Sequence, residues 1–422
     1  MALFLLALVL FVLPFLDGGT SQIGQIILFV LPLPLVLFIL AKQELKIKLD
    51  SLFWLSSLFL ILSFISLLFS SSLSLSVPAF FQLLALWVLF HLSRVIIRTS
   101  QELKMALWAV FLAGIGLSLL SFWYLLPFSL KPFAVLNLTY AQYGHNHLAE
   151  YLPFVLLPSL ALFLTGKKKE KIIFGFLIIF FFMIMLLTFS RTTFLFFPLV
   201  AFLIIRQLTP QKGKILVGIL IFLSILSLVV VSLFTLTAFG KHILSEDPGG
   251  FLAKKLIKPL TYEGRINYWQ EAWLGFLQRP ILGWGWGTFR LVAIRFQSFP
   301  SSWSWYAHNF YLQTLVELGI FGFLAVLAFL SKAFRQAFLA VSKKKDPLLI
   351  GVFGGLVLSA CQSILDFGWH FPAIALTFLV LLAGLTNKNL PPSAEEPCFS
   401  NKNLPPSAEE PCFSQAQNEK IR

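Results

Sequence analysis

The chain has 422 residues, of which 58% are hydrophobic and only 12% are charged, and its formal net charge is +14. Soluble proteins contain about 25% charged residues, so this composition excludes a water-soluble globular enzyme. The mean hydropathy of +0.87 indicates a membrane protein. Because the basic residues cluster in short segments between apolar runs, we assign the positive charge to membrane topology and not to nucleic-acid binding.

Apolar runs of about 15 to 25 residues, the length that crosses a bilayer, recur along the chain. They cover residues 2–16, 23–41, 51–69, 77–93, 105–124, 148–165, 172–189, 192–205, 215–239, 309–330, 348–365 and 370–386. The first run lacks the basic start and small-residue cleavage site of a signal peptide, so we expect a retained helix. The sequence therefore predicts an all-α polytopic membrane protein with about twelve transmembrane helices.

The distribution of lysine and arginine predicts the orientation of these helices. With the N-terminus inside, most of the 32 basic residues fall in inner segments, such as residues 167–171 and 343–345. We therefore expect both termini to be cytoplasmic and the protein to be multi-pass in an inner, cytoplasmic membrane. Five of the six histidines then lie on the outer side, namely His145, His147, His242, His308 and His370. The outer face is where chemistry is expected.

Two segments stand apart from the apolar runs. Residues 240–307 form a large outer loop between the ninth and tenth predicted helices, inside a transmembrane domain of residues 1–386. Residues 387–422 form a polar, proline-rich tail in which NKNLPPSAEEPCFS occurs twice in tandem. Two such short copies cannot bury a core, so we predict a disordered cytoplasmic tail. The duplication is either without function or a binding motif.

The outer loop contains an amphipathic helix followed by a glycine-rich stretch. The helical spacing of the apolar side chains predicts a helix on the outer leaflet that ends near Pro280. One face carries Ile266, Trp269, Trp273, Phe276 and Leu277, and the other carries Asn267, Gln270, Glu271 and Gln278. In GWGWGTF, Gly283, Gly285 and Gly287 permit a turn or a close approach to a ligand. The GK[ST] sequence of a nucleotide-binding loop does not follow, so the alternative to a ligand-binding role is a structural turn.

Ionisable residues occur at the ends of several spans and within one. His308 and Asn309 open the tenth span, and Glu317 lies nine residues deeper. An ionised group inside a bilayer costs about 2.5 to 3.5 kcal/mol, so Glu317 should have a functional or architectural role. Nine steps of a regular helix place His308 and Glu317 on opposite sides, so we do not pair them.

Arg191 ends the seventh span on the outer side, where the positive-inside rule disfavours it. A headgroup contact, an ion pair or an anion site would explain its presence there. In SILDFGWHFP, Asp366 and His370 share a short outer hairpin, where they form a local hydrogen bond or take part in catalysis. The three cysteines provide neither a disulfide framework nor metal spacing. The outer segments offer only the adjacent Glu246 and Asp247 in place of a D-x-D pair, so we expect no metal.

Arg191, then GRINYWQEAWLGFLQRPILGWGWGTF, then AHNFYLQTLVELGIFGF resemble, in this order, the O-antigen ligase and polymerase superfamily. Weaker support comes from NHLAEYLPF at 146–154 and from the final hairpin. The resemblance implies a GT-C-like fold and a metal-independent enzyme without cofactors. Such an enzyme moves a glycan from an undecaprenyl diphosphate carrier to an acceptor at the outer face of the membrane. His145, His147 and the duplicated tail depart from the family pattern.

The resemblance implies that two arginines and one histidine are catalytic, and it matches them to Arg191, Arg265 and His308. The chemistry agrees, because guanidinium groups suit the oxygens of a departing diphosphate. Histidine, with an unperturbed pKa of about 6.5, is a suitable base for an acceptor hydroxyl, and Asp366 and Glu317 are alternatives. The substrate-binding candidates are Asn309, Trp269, Gly285, Gly287, Glu317, Asp366 and His370.

Several readings stay open. The acceptor is a lipid core, a growing polysaccharide or a protein hydroxyl, and the expected partners are the polyprenyl diphosphate-linked donor and membrane lipids, with no nucleic acid. A transporter or flippase of an envelope precursor is the alternative, because twelve spans are common among transporters. Transporters keep ionisable groups near the bilayer midplane, often at broken helices, and Glu317 is the clearest such group. A structural scaffold would leave Arg191 and Arg265 without a purpose.

Overall fold

A computed structural model describes residues 1–41, 48–123, 145–188, 190–209, 218, 263–297 and 303–387. Within these residues all regular secondary structure is helical and no strand occurs. Several predicted features lie outside the described residues: the ninth span at 215–239, the first part of the outer loop with His242, Glu246 and Asp247, and the tail from residue 388. The side chain of Arg191 lies outside them as well, although its backbone is described.

The described residues contain fifteen α-helices, which we number in chain order. They are α1 (Ala2–Val12), α2 (Gln22–Val30), α3 (Pro32–Ala41), α4 (Ser51–Leu68), α5 (Leu73–Ile96), α6 (Ser100–Trp123), α7 (His145–Tyr151), α8 (Pro153–Thr165), α9 (Lys168–Leu187), α10 (Arg191–Leu208), α11 (Glu263–Gln278), α12 (Phe289–Phe296), α13 (Phe310–Lys344), α14 (Pro347–Gln362) and α15 (Pro372–Thr386). Short 3-10 turns at Leu13–Phe15, Asp17–Gly19 and Gly368–His370 join some of them.

The helices confirm an all-α, multi-pass membrane protein. Five helical segments of the described residues are long and apolar enough to cross a bilayer: Gln22–Ala41, Ser51–Leu68, Leu73–Ile96, Ser100–Leu120 and Phe310–Lys344. The remaining apolar helices are shorter, and the number of twelve spans stays a prediction. Proline explains two of the breaks, because Pro32 and Pro153 start new helices at positions where the backbone N–H has no helical partner.

Helix α13 is central to the packing. It lies against α4, α11 and α15, while α14 packs on α8 and α10, and α15 packs on α5. Small residues permit close approach, since a side chain at Gly351 of α14 would overlap the backbone of Pro158 in α8. At the N-terminal end, α1 packs against α6, and Leu6 and Leu10 of α1 are buried.

A break in α13 ties the glycine-rich loop to the bundle. Gly319 has φ +69° and ψ −172°, so the helical hydrogen-bond pattern is interrupted there. The carbonyls of Val316 and Glu317 instead accept hydrogen bonds from the backbone N–H groups of Trp284 (3.1 Å) and Gly285 (2.9 Å). The N–H of Ile320 donates to the carbonyl of Pro280 at 2.8 Å. The loop therefore satisfies backbone groups that the break would leave unpaired in an apolar environment.

The carboxylate of Glu317 completes this attachment. Its Oε2 accepts from the backbone N–H of Gly287 at 2.9 Å, and its Oε1 accepts from Phe289 N–H at 2.9 Å and from Gln313 Nε2 at 3.0 Å. Phe289 is the first residue of α12, where a negative charge favours the helix N-terminus. Glu317 is fully buried, so its placement favours the architectural alternative over contact with a substrate.

The Glu317 attachment generates a stability prediction. In Glu317→Gln an amide NH₂ replaces an oxygen that accepts a buried N–H, which leaves a donor unsatisfied at a cost of about 1 to 3 kcal/mol. We expect a lower midpoint of unfolding for the purified protein in detergent. The matched control is Gln278→Glu, an isosteric exchange at an exposed position of α11, which should change stability by less than about 0.5 kcal/mol. Equal midpoints for Glu317→Gln and the wild type would contradict the assigned role.

Candidate active site

Three residues that are distant in sequence meet at one end of the bundle. Arg265 Nη2 lies 3.4 Å from Asp366 Oδ2, and His308 Nδ1 lies 3.3 Å from Asp366 Oδ1. The Asp366 side chain is fully buried, whereas the side chains of Arg265 and His308 remain 22% and 23% exposed. A buried carboxylate therefore lies behind two partly accessible nitrogen groups, and we call this set the Arg–Asp–His cluster.

Each member of the cluster comes from a different element. Arg265 is in the first turn of α11, His308 directly precedes the N-cap residue of α13, and Asp366 lies between α14 and α15. The backbone N–H of Phe310 donates to the carbonyls of Ser363 (2.9 Å) and Asp366 (3.2 Å), which joins the start of α13 to this hairpin. His308 itself has φ +49°. Such a conformation is uncommon for a residue with a side chain, and it occurs preferentially at functional sites.

Aromatic rings fix the orientation of the His308 imidazole. Tyr268 of α11 stacks on it with centroids 5.7 Å apart and an interplanar angle of 23°, and Phe367 meets it edge-on at 4.6 Å. Because Asp366 faces Nδ1, the carboxylate favours the tautomer that carries its proton on Nδ1. This tautomer leaves Nε2 as the nitrogen that accepts a proton.

Electrostatics hold Asp366 in its charged form. Burial alone would raise the pKa of this carboxyl group, but the hydrogen bond from His308 and the charges of His308 and Arg265 outweigh it. The pKa of Asp366 is therefore well below its usual range. The backbone N–H of Phe367 also donates to Oδ1, at 3.1 Å. The ionised carboxylate can thus orient both Arg265 and His308.

Of the two alternatives for Asp366 and His370, the local hydrogen bond is wrong. The 3-10 turn Gly368–His370 carries the His370 ring away from the carboxylate and onto Trp286, at 5.5 Å and an angle of 15°. Among the described residues, neither ring nitrogen of His370 has a hydrogen-bond partner. The spacing i, i+4 describes neighbours in an α-helix, and the chain is not α-helical at this point.

Other candidates have structural contacts. The Asn309 side chain caps α13 by accepting from the N–H of Leu312 at 2.9 Å. Gly285 has φ +104°, and a side chain at this position would overlap Ser70. These contacts favour the alternative that the glycine-rich stretch is a structural turn. Trp269 is half-buried on α11, and its indole N–H has no hydrogen-bond partner among the described residues. Arg191 begins α10 and does not end the preceding helix, α9, which stops at Leu187.

The amphipathic helix is confirmed as α11, with one correction to its faces. Ile266, Trp273 and Leu277 are exposed, as expected for side chains that contact the outer leaflet. Glu271, which the periodicity placed on the polar face, is buried together with Ala272. The buried side of α11 contains Glu271, Ala272 and Gly275, and Gly275 lies against Val316 of α13. Gln270 and Gln278 of the predicted polar face are exposed.

The family comparison agrees with the order of these elements. Residues 174–327 match the family model described as O-antigen ligase. This part of the chain is therefore similar to the O-antigen ligase family. The matched region contains Arg191, Arg265 and His308, whereas Asp366 lies beyond it. No curated protein matches the chain.

The candidate site contains contacts that sequence reasoning missed. The pairing of Asp366 with both Arg265 and His308 joins segments about 60 and 100 residues apart, and no local pattern signals such a contact. Tyr268 could have been found, because a residue three positions after Arg265 lies on the same face of a helix. In the part of the chain that the structure describes, no group of three or more His, Cys, Asp or Glu residues could hold a metal ion.

The electrostatic pairing of Asp366 predicts a pH dependence of stability. Because the folded-state pKa of Asp366 lies below the unfolded value of about 3.9, ionisation of this group stabilises the fold. This contribution is fully present above about pH 5 and is lost as the pH falls through the unfolded value towards the folded one. We expect Asp366→Asn to be less stable than the wild type at pH 7, and the difference to shrink between about pH 5 and pH 3. Thermal unfolding in detergent at several pH values measures this; two parallel curves would refute it.

Proposed function

We propose that this protein transfers a glycan from an undecaprenyl diphosphate-linked donor to an acceptor hydroxyl on the outer face of the inner membrane. The observation that carries the proposal is the Arg–Asp–His cluster, in which a buried carboxylate holds an arginine and a histidine. The match of residues 174–327 to the O-antigen ligase family model supports glycan transfer in polysaccharide biosynthesis. The acceptor we favour is a saccharide hydroxyl, on a lipid core or on a growing polysaccharide.

The chemistry assigned to the cluster is a single displacement. The acceptor oxygen attacks the anomeric carbon of the donor glycan, a new C–O bond forms, and the bond from that carbon to the diphosphate oxygen breaks. The proton of the acceptor hydroxyl passes to Nε2 of His308, while Asp366 stabilises the resulting imidazolium through Nδ1. Undecaprenyl diphosphate leaves with the bonding electrons.

Arg265 is assigned to the departing diphosphate. Its contact with Asp366 uses Nη2 and fixes the guanidinium, and its partial exposure leaves other N–H groups for phosphate oxygens. Negative charge grows on the leaving group during the reaction, so a preoriented cation lowers the barrier. Arg191, which starts α10 within the family match, is proposed as the second arginine. With two guanidinium groups the proposed reaction is metal-independent and uses no cofactor.

The transporter alternative rests on Glu317 and on the helix break at Gly319. The break exists, but the Glu317 carboxylate is fully buried and accepts three hydrogen bonds from the loop and from Gln313. It therefore has little capacity left for a transported ion or substrate. The partly exposed ionisable groups of the Arg–Asp–His cluster instead lie together at helix ends, which favours an enzyme.

Loss of transfer on substitution of the cluster is the principal test. We expect Arg265→Ala and His308→Ala each to lower transfer of labelled glycan from an undecaprenyl diphosphate donor by at least about 100-fold. The assay uses purified protein in detergent, with a membrane extract and then a protein pool as acceptors. Label in a saccharide supports the favoured acceptor, a saccharide hydroxyl. Label in protein would instead identify a protein hydroxyl as the acceptor.

The matched control is Arg295→Ala, which removes an exposed arginine of α12 outside the cluster and should retain normal transfer. Arg265→Lys keeps the charge but loses the planar fork, so we expect an intermediate rate. Wild-type transfer by Arg265→Ala or His308→Ala would refute the assigned roles. If the wild-type protein shows no donor binding and no transfer, the transporter alternative is favoured.

The proposal includes an orientation and an architecture. We infer twelve spans in a GT-C-like arrangement, both termini in the cytoplasm, and the Arg–Asp–His cluster outside. The positive-inside distribution supports this orientation, because the basic run at residues 343–345 lies at the end of α13 that is opposite to His308.

Thiol labelling tests the orientation. In a background with Cys361, Cys398 and Cys412 replaced by serine, we expect Gln278→Cys at the end of α11 to react with a membrane-impermeant maleimide in intact cells or spheroplasts. Lys343→Cys should react only after the membrane is permeabilised. The opposite pattern would invert the topology and place the cluster on the cytoplasmic side.

A further inference from the structure

Two tryptophans in the segment between α12 and α13 have exposed rings. Trp303 is 40% exposed and Trp305 is 55% exposed, and their ring centroids lie 6.3 Å apart at an angle of 55°. Neither residue belongs to a helix, and both directly precede the segment that contains His308. Exposed aromatic rings near a candidate active site are candidates for ligand binding, because they offer a large contact area with few rotatable bonds.

An arginine without an anionic partner lies against one of these rings. The central guanidinium carbon of Arg290, in the first turn of α12, is 4.2 Å from the centroid of the Trp305 ring. Its Nε is buried and has no hydrogen-bond partner among the described residues. No aspartate or glutamate in the described part of the chain forms a salt bridge with it. An anionic ligand would satisfy this donor with a charge-assisted hydrogen bond.

Aromatic rings beside a guanidinium and a hydroxyl group have the chemistry of a saccharide site. A sugar ring presents C–H groups on its faces, and their positive hydrogens pack against the negative face of an aromatic ring. The Ser304 hydroxyl oxygen accepts from the backbone N–H of Tyr306 at 3.3 Å, which leaves its proton for a sugar oxygen. Because Arg290 is cationic, the sugar that fits this set carries an anionic substituent.

These residues lie close to the Arg–Asp–His cluster. Three peptide steps join Trp305 to His308, so their Cα atoms are at most about 11 Å apart. Between them, the Tyr306 ring stacks on Phe367 with centroids 4.3 Å apart, and Phe367 meets the His308 ring edge-on at 4.6 Å. A saccharide of a few sugar units that is bound at Trp305 therefore reaches the proposed base.

The bilayer interface is the alternative environment for exposed tryptophans. Trp273 of α11 fits that environment, because the exposed side chains beside it, Leu274 and Leu277, are apolar. The surroundings of Trp305 differ, since Ser304 precedes it in the chain and the Arg290 guanidinium lies over its ring. A cation and a hydroxyl group next to the ring favour a polar ligand over hydrocarbon.

We propose that Trp303, Trp305 and Arg290 form a platform that binds the acceptor, and that this acceptor is an acidic saccharide. The proposal rests on the proposed function and names the chemical class of its acceptor. The tryptophan rings bind sugar faces, and the Arg290 guanidinium binds a carboxylate or phosphate substituent. The acceptor hydroxyl then lies at His308, which receives its proton. The three platform residues bind the acceptor and take no part in the proton transfer.

Binding of fluorescently labelled oligosaccharides to the purified full-length protein in detergent tests the platform. The acidic probes are tetragalacturonate and a phosphorylated maltotetraose, the neutral probe is maltotetraose, and fluorescence anisotropy measures all three. The wild type should bind at least one acidic probe about tenfold more tightly than the neutral one, and the preferred probe identifies the substituent. Arg290→Gln should abolish this preference. Trp305→Ala should weaken binding of the acidic and the neutral probes by about tenfold.

Matched controls separate the platform from general effects of substitution. Arg295→Gln changes an exposed arginine on the same helix as Arg290, and Trp273→Ala removes an exposed ring of α11. Both controls should bind the probes as the wild type does. Trp305→Phe keeps an aromatic face and should bind within about threefold of the wild type.

Several results would overturn the proposal. They are no binding of any probe by the wild type, equal binding of the acidic and neutral probes, and unchanged binding by Trp305→Ala. Equal losses in Trp273→Ala and Trp305→Ala would also overturn it, because the rings would then act through their contact with lipid or detergent.

The transfer assay separates this proposal from the proposed function. With a membrane extract as acceptor, Trp305→Ala should raise the extract concentration for half-maximal transfer by about tenfold and leave the maximal rate unchanged, whereas His308→Ala lowers the maximal rate. Probe binding without transfer by the wild type would reject the transferase and retain the saccharide site. Transfer that Trp305→Ala and Arg290→Gln leave unchanged would reject the platform and retain the transferase.

Discussion

The buried negative charge of Asp366 is the constraint around which the active end of this protein is organised. A carboxylate removed from water is strongly destabilising unless charges and hydrogen bonds compensate it. Here the compensation comes from Arg265, from His308 and from the backbone N–H of Phe367. Three separate parts of the chain must therefore converge on one oxygen pair. The orientation of Arg265 and His308, the proposed catalytic side chains, follows from the need to compensate the charge of the Asp366 carboxylate.

A second buried carboxylate, that of Glu317, has a different role. Glu317 lies beside the break in α13, and it binds backbone groups instead of cationic side chains. The glycine-rich loop is held by this carboxylate and by carbonyls that the break at Gly319 releases. The loop in turn carries Trp286, which contacts His370, and it leads into α12 with Arg290. Glu317 thus has a role in the architecture, whereas Asp366 belongs to the proposed catalytic cluster.

Much of this was accessible from the sequence because the relevant signals are local. The helical character of the described apolar runs and the existence of α11 follow from hydrophobicity and periodicity, as the helices confirm. The contact of Asp366 with both residues was not accessible, since it depends on how α11, α13 and the α14–α15 hairpin pack. The local pairing with His370 failed because helical spacing was applied to a 3-10 turn. The burial of Glu271 was missed because a polar face was equated with a solvent-facing one.

The hydrogen bonds from Phe310 N–H to the carbonyls of Ser363 and Asp366 have a mechanical consequence. They join the first residue of α13 to the hairpin that carries the carboxylate, so the histidine and its partner belong to one rigid unit. Any sliding of α13 along its axis, of the kind that rocking-bundle carriers require, would shear these bonds and separate His308 from Asp366. The scaffold is therefore suited to staying still while its substrates diffuse in the plane of the bilayer.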